Sequence, residues 1–254
     1  PWTALAVATV PYAPGGRMAA DLAAMMQGAV GILEADGCAL VGGHSGEGAE
    51  AALGFAVSGL IEPRRAWRKA GLREGDVLVL TKPLGTGVVL AGQMRGLTKA
   101  RWLQAAIASM RRTNADAARI LRAHGVLAVT DVTGFGLAGH LLEMLAASGV
   151  GAIVEPNAIP LLPGALELAR QGVESTLAPD NRHALSGTGR TPLIDLLTDP
   201  QTSGGLLAGV LAGRADGCLA ALRAAGLEAA IIGTVEPASA DLPALRLSPE
   251  NAYT

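Results

Sequence analysis

The stretch TDVTGFGLAGH, from Thr130 to His140, sets one carboxylate, Asp131, between an apolar run and a loop with glycines at 134, 136 and 139. Two chemistries fit it. An acid at a strand-to-helix junction can cap the helix, a contribution of about 1 kcal/mol. It can equally be a hard oxygen ligand to magnesium, which takes one or two carboxylates and fills its shell with phosphate oxygens and water. The glycines would let backbone N–H groups approach the phosphate at the start of the following helix. Position alone leaves both readings open.

A second stretch, LVGGHSGEG, places Gly42 and Gly43 after an apolar strand. Their amides can face a phosphate, with His44 or Ser45 as side-chain donors. A tight turn with a solvated histidine is the simpler account. The spacing is neither that of a Walker loop nor that of a dinucleotide fingerprint. TKPLGTG, with Lys82, reads as a surface turn, and turn chemistry accounts for TDPQTSGG. His140 and Glu143 are three apart on a helix without an HExxH pattern, so they read as a structural pair. No Ser-His-Asp or Cys-His arrangement emerges from the spacing.

The elements that must position these residues alternate. TALAVATV is a strand ended by the Pro and Gly cluster at 11–16, and Met18, Leu22, Met25, Ala29 and Leu33 then mark one helical face. CALVGGHSGEG reads as a buried strand running into a glycine-rich loop, and LGFAVSGLI as another strand. The charged segment EPRRAWRKAGLREGD separates two apolar regions, and a boundary there gives domains of residues 1–66 and 67–254. Beyond it come a strand in DVLVLTKPLGTG, one long helical pattern over 100–124, a strand VLAVTD, and a helix stopped by Gly149. A strand GAIVEP, a short helix near Leu166, a polar loop over 174–191, a strand GGLLAGVL, a helix around 219–227 and a strand AAIIGTV complete the chain. The class is α/β or α+β, in two parts.

Composition removes several alternatives. With a net charge of -2 and only 3% aromatic residues, the chain has neither a basic groove nor stacking platforms for nucleic acid. Cys38 and Cys218 lie far apart without CxxC spacing, which points to a reducing cytoplasm rather than a disulfide framework. The apolar opening is broken by Pro11 and Pro14 and lacks a basic leader, so it is neither a membrane span nor a signal peptide.

LVGGHS, LTKPLGTG, TDVTGFGLAGH and DPQTSGGLL, in this order and at these separations, resemble selenophosphate synthetase (selenide, water dikinase), in the superfamily of aminoimidazole ribonucleotide synthetase. The likeness runs from the opening strand to IIGTVEP. It implies a two-domain fold of mixed sheets packed by helices, with residues 1–66 as an incomplete N-terminal ATP-binding and dimerisation domain and residues 67–254 as the C-terminal domain. It implies a reaction of ATP, selenide and water that gives selenophosphate, AMP and orthophosphate, in a homodimer. Asp131 then matches a magnesium ligand, and Gly42, Gly43 and His44 match a nucleotide-contacting loop. TKPLGTG and DPQTSGG would be scaffold and site wall.

The chain departs from that family in one respect. The family's Cys or selenocysteine nucleophile, its catalytic Lys and two further metal-binding aspartates are expected upstream of Pro1, so none of these 254 residues is assigned a catalytic role. The opening also resembles the form fused behind a pyridine-nucleotide-disulfide oxidoreductase. The competing readings are a non-catalytic nucleotide-binding or dimeric regulatory module and a related small-molecule kinase.

Overall fold

The computed structural model describes residues 1–186, 188–240 and 244–248. The chain divides into two compact units, Pro1–Ala66 and Trp67–Thr254.

In the first unit, strand β1 (Thr3–Pro11) alternates strictly. Ala4, Ala6, Ala8 and Val10 are buried, while Leu5 and Val7 are exposed. Residues two apart on a strand share a face, and three alanines in a row on that face leave room for helix α1 (Gly15–Ala35), which contacts β1. Strand β2 (Ala39–Gly48) runs parallel to β1 and strand β3 (Ala52–Ser58) antiparallel, in the order β2-β1-β3. The glycine-rich segment expected to be a loop is therefore strand. It pairs with β1 as far as Pro11↔Gly48, after one irregularity at Ala4/Leu5. It is also largely exposed rather than buried. The pairing partner lies more than thirty residues upstream, and local composition carries no trace of it.

The second unit is built on a mixed sheet. Its strands are β4 (Asp76–Leu80), β5 (Val129–Asp131), β6 (Val150–Val154), β7 (Leu206–Leu211), β8 (Ala230–Pro237) and β9 (Leu245–Leu247), in the order β5-β7-β4-β8-β6-β9. All pairs are antiparallel except β6 with β9. The helices are α2 (Thr86–Met94), α3 (Ala100–Arg111), α4 (Ala115–Ala123), α5 (Gly136–Ser148), α6 (Ala165–Arg170), α7 (Ala178–Asn181), α8 (Pro192–Leu196) and α9 (Ala212–Ala224). Strand β4 explains how they are layered. Leu78 and Leu80 pack with Leu137, Leu141, Met144 and Leu145 of α5. Val79, on the opposite face, packs with Leu121 of α4 and with Cys218 and Leu222 of α9. The four residues after Asp76 are apolar on both faces of the strand, as a sheet covered on both sides requires.

Three expectations change in detail. The pattern over 100–124 is two helices, because Arg112 leaves the helical region at ψ 120. Its guanidinium donates to the carbonyls of Ala225 and Gly226 just beyond α9, contacts over a hundred residues away. The helix around Leu219 begins earlier, at Ala212. The polar segment 174–191 holds α7 and a 3-10 turn, Arg182–Leu185.

Candidate functional site

The site is built from the end of β5. Apolar Val129 lies in the core, and the strand ends at Asp131, whose backbone pairs with Leu206 on β7. Asp131 is exposed. It caps nothing: α5 begins at Gly136 with Phe135 in the N-cap position, and no side chain accepts from its first turn. Neither alternative cap, Asp131 or Thr133, is used. Among the described residues, the exposed amides of Gly134 and Phe135 donate to no acceptor. An unpaired carboxylate and two unpaired amides thus sit together at a helix start, where the helix dipole favours an anion.

The backbone around Asp131 is fixed by the two motifs read from sequence as surface turn and simple turn chemistry. Both readings need correction, because the motifs interlock in the interior. Thr81, Lys82, Thr86, Asp199 and Gln201 are all buried. Gln201 Oε1 accepts from the amides of Gly85 and Thr86 and from the Thr86 hydroxyl, and the Thr202 amide donates back to Thr86 Oγ1. Lys82 Nζ donates to the carbonyls of Arg112 (2.6 Å) and Ser203 (2.8 Å), and Asn114 Nδ2 donates to that of Gly204. This clasp reaches the site directly. The amide of Val132 donates to Gly205 O, that of Gln201 to Thr133 O, and a Cβ on Gly204 would lie 2.1 Å from Val132 O. No side chain fits at 204 while the turn rests against the residue after Asp131.

Burial has an electrostatic cost here. Desolvation lowers the Lys82 pKa to about 8, with nearby Arg112 adding to the effect. Burial likewise raises that of Asp199 to about 7, against hydrogen-bonding groups at Val88, Gln201 and Gly87. Asp199 Oδ2 accepts from Gln201 Nε2, but Oδ1 has no well-aligned partner. The amides of Gly87 and Val88 lie near enough to favour the charge without forming good bonds.

His140 is buried, and Glu143 lies beside it at 3.4 Å, bonded in turn to Lys69. This is the structural pair expected from their spacing. Among the described residues no group of three His, Cys, Asp or Glu is placed to hold a metal ion. Asp131 could therefore supply one oxygen ligand to a cation, with the rest of the shell drawn from beyond the described residues.

Gly42, Gly43 and His44 lie in the first unit, on the edge strand β2, opposite Leu5, Ala6 and Val7. An edge strand leaves alternate amides unpaired. The three residues line an open cleft of about 380 Å³ with the apolar Ala6, Ala8, Leu22 and Met26. Gly43 also has a packing reason to be glycine. Its φ is 153°, and a Cβ there would meet Ala6 O at 1.9 Å. A variant at 43 thus reports on strand pairing before it reports on any ligand. Thr86 and Gln201 stand in no motif reading of their own, and Asp199 reads from sequence as turn-forming; the available signal is polar side chains next to glycines at strand ends.

Known proteins match this chain closely. The family described as AIR synthase related protein, C-terminal domain, matches residues 73–241. A selenide, water dikinase of Pelobacter propionicus is 40% identical over 225 residues, covering 84% of this chain and 64% of the relative. Another, from Nitratidesulfovibrio vulgaris strain Miyazaki F, is 38% identical over 248 residues, covering 92% of this chain and 69% of the relative. The chain thus spans about two thirds of the length of these relatives. The crystal structure of E. coli HypE, a hydrogenase maturation protein, superimposes with a TM-score of 0.70 at 21% identity, over 99% of this chain and 71% of that one. On the strength of the motifs, the fold and these identities, the chain belongs to the selenide, water dikinase family, with an AIR synthase-like fold.

Proposed function

We propose that the protein to which this chain belongs makes selenophosphate from ATP, selenide and water, with AMP and orthophosphate as the other products. The observation that carries this reading is the end of β5 in a chain of this family. Asp131 is exposed and unused as a cap, next to two free amides at the start of α5. Magnesium bound there would draw charge from the ATP phosphates. Asp131 would hold it, and the amides of Gly134 and Phe135 would take phosphate oxygens. Gly42, Gly43 and His44 would contact the nucleotide of a second copy, through the alternate amides that the edge strand leaves unpaired. The clasp of Lys82, Thr86 and Gln201 keeps the backbone at 132–133 still, so that the carboxylate is presented without reorganisation.

Selenide should stimulate ATP consumption by the full-length protein, and thiamine monophosphate should not. Stimulation by thiamine monophosphate alone would point to the related small-molecule kinase.

The partner we propose is a second copy, bound through the first unit. Phe55 (41% exposed) and Val57 (55%) on β3, opposite Ala6 and Ala4, leave apolar side chains open on one face of the sheet, and Leu5 and Val7 on β1 do so on the other. The full-length protein is expected to sediment as a dimer, and Phe55→Asp with Val57→Lys to shift it to monomer. An unchanged sedimentation coefficient would remove this face of the first unit from the interface. No helix of the described residues is long and apolar enough to cross a membrane, and Cys38 and Cys218 are both free. Free thiols suit the cytoplasm we propose for it; recovery of the native protein from an oxidising compartment would contradict that placement.

A further inference from the structure

The loop after Asp131 carries a polar chain that the reading above does not use. Thr133 Oγ1 lies 3.1 Å from His140 Nε2. His140 Nδ1 lies 3.4 Å from Glu143 Oε2, short of a well-formed hydrogen bond, and Glu143 Oε2 lies 2.6 Å from Lys69 Nζ. The Phe135 ring stands over the imidazole at 5.5 Å between centroids. The carboxylate of Glu143 favours the imidazole proton on Nδ1, the nitrogen that faces it. Nε2 then keeps its lone pair and accepts the Thr133 hydroxyl proton. A hydroxyl whose proton is committed in this way can only accept from other groups.

The contact is not needed to shape the loop. Thr133 O already accepts from the amides of Gly136 and Gln201, and the Val132 amide is bonded to Gly205 O. We infer that Thr133, two residues from Asp131, presents its hydroxyl oxygen as an acceptor to the water shell of a hydrated divalent cation. His140 is the positioning residue that holds it in that state. Magnesium keeps several of its waters when bound by one or two carboxylates, and those waters need acceptors. The inference rests on Asp131 holding the cation.

The test uses full-length protein and two readouts. Nitrogen-15 spectra, with His140 assigned by its loss in His140→Gln, should show the neutral Nδ1–H tautomer; a neutral Nε2–H form would overturn the proposal. Mn²⁺ binding in the presence of a non-hydrolysable ATP analogue, followed by electron paramagnetic resonance, should weaken about 10-fold or more in Thr133→Val and His140→Phe, the range expected for outer-shell groups. Thr133→Ser and His140→Gln, which keep the donor and the acceptor, should restore it. If Asp131→Asn loses Mn²⁺ while Thr133→Val and His140→Phe bind it normally, Thr133 has no such role and the Asp131 assignment stands. If Asp131→Asn binds Mn²⁺ normally, both fall.

Discussion

Asp131→Asn in the full-length protein is expected to lower kcat/KM by at least about 100-fold, since a direct ligand should matter at least as much as the outer-shell groups around it. The same change should leave stability within about 0.5 kcal/mol, the usual range for an exposed position with no structural partner. The separation follows from the structure. Asn keeps the size and most of the capping ability of Asp, so a capping role predicts near-normal activity. That role is already vacant, because α5 starts at Gly136 with no side-chain cap hydrogen bond at its N-terminus. Steady-state kinetics at saturating and limiting Mg²⁺, with a thermal melt of the same sample, measure both quantities. Activity and Mg²⁺ dependence like those of the parent protein would remove Asp131 from the site.

The second large effect concerns stability and pH. Asp199 has its folded pKa raised to about 7. Its contribution is complete below the ordinary carboxylate pKa and is lost as pH rises through about 7, because the unfolded chain releases a proton that the folded one retains. Lys82, lowered to about 8, works in the opposite direction. Its contribution is complete above the ordinary lysine pKa and is lost as pH falls through about 8. Both groups are least favourable to the fold between about pH 7 and 8. Stability measured by urea titration should rise from that interval toward pH 5 and toward pH 10. At about 1.4 kcal/mol per unit of pKa, the limit is on the order of 4 kcal/mol for Asp199 and on the order of 3 kcal/mol for Lys82. Other groups titrate over the same range, so the differences between proteins are the decisive quantity. Asp199→Asn should flatten the acid-side slope and leave the alkaline one, and Lys82→Met should do the reverse. Parallel pH profiles for parent and variants would mean that neither group is held as the structure indicates.

The sequence conveyed the elements of the second unit better than their contacts. VLAVTD followed by a glycine loop and a periodic helix is a local pattern; α5 appears where it places a helix, and β5 forms over its last three residues, Val129–Asp131. The apolar run VLVL after Asp76 likewise announces a strand, and β4 forms there with both faces covered. Long-range polar bonding was not legible. Gln201 accepts from Gly85 and Thr86, more than a hundred residues away, and nothing in DPQTSGG distinguishes a buried clasp from a solvated turn. The same holds for Arg112, where carbonyls beyond α9 break a helix that periodicity alone would continue. In the first unit the glycines of β2 imitate a loop, because glycine signals both conformational freedom and close approach. Only the opposing backbone of Ala6 decides for close approach at Gly43.

Family membership itself was legible, since four short motifs in register specify more than any one of them. Each motif also has a physical reason to keep its residues. TDVTGFG carries the exposed carboxylate at the end of β5, LTKPLGTG and DPQTSGG form the clasp behind it, and LVGGHS provides an edge strand with glycine at its closest approach.

The central claim is that Asp131 presents ATP phosphates for selenide-dependent chemistry. Phosphorus-31 spectra of the full-length protein with ATP, Mg²⁺ and selenide test it most directly. The account predicts selenophosphate, AMP and orthophosphate in equal amounts from the parent protein, only when selenide is present, with all three nearly absent from Asp131→Asn. ADP as the product whether or not selenide is added, or equal selenophosphate from the parent and Asp131→Asn, would contradict it.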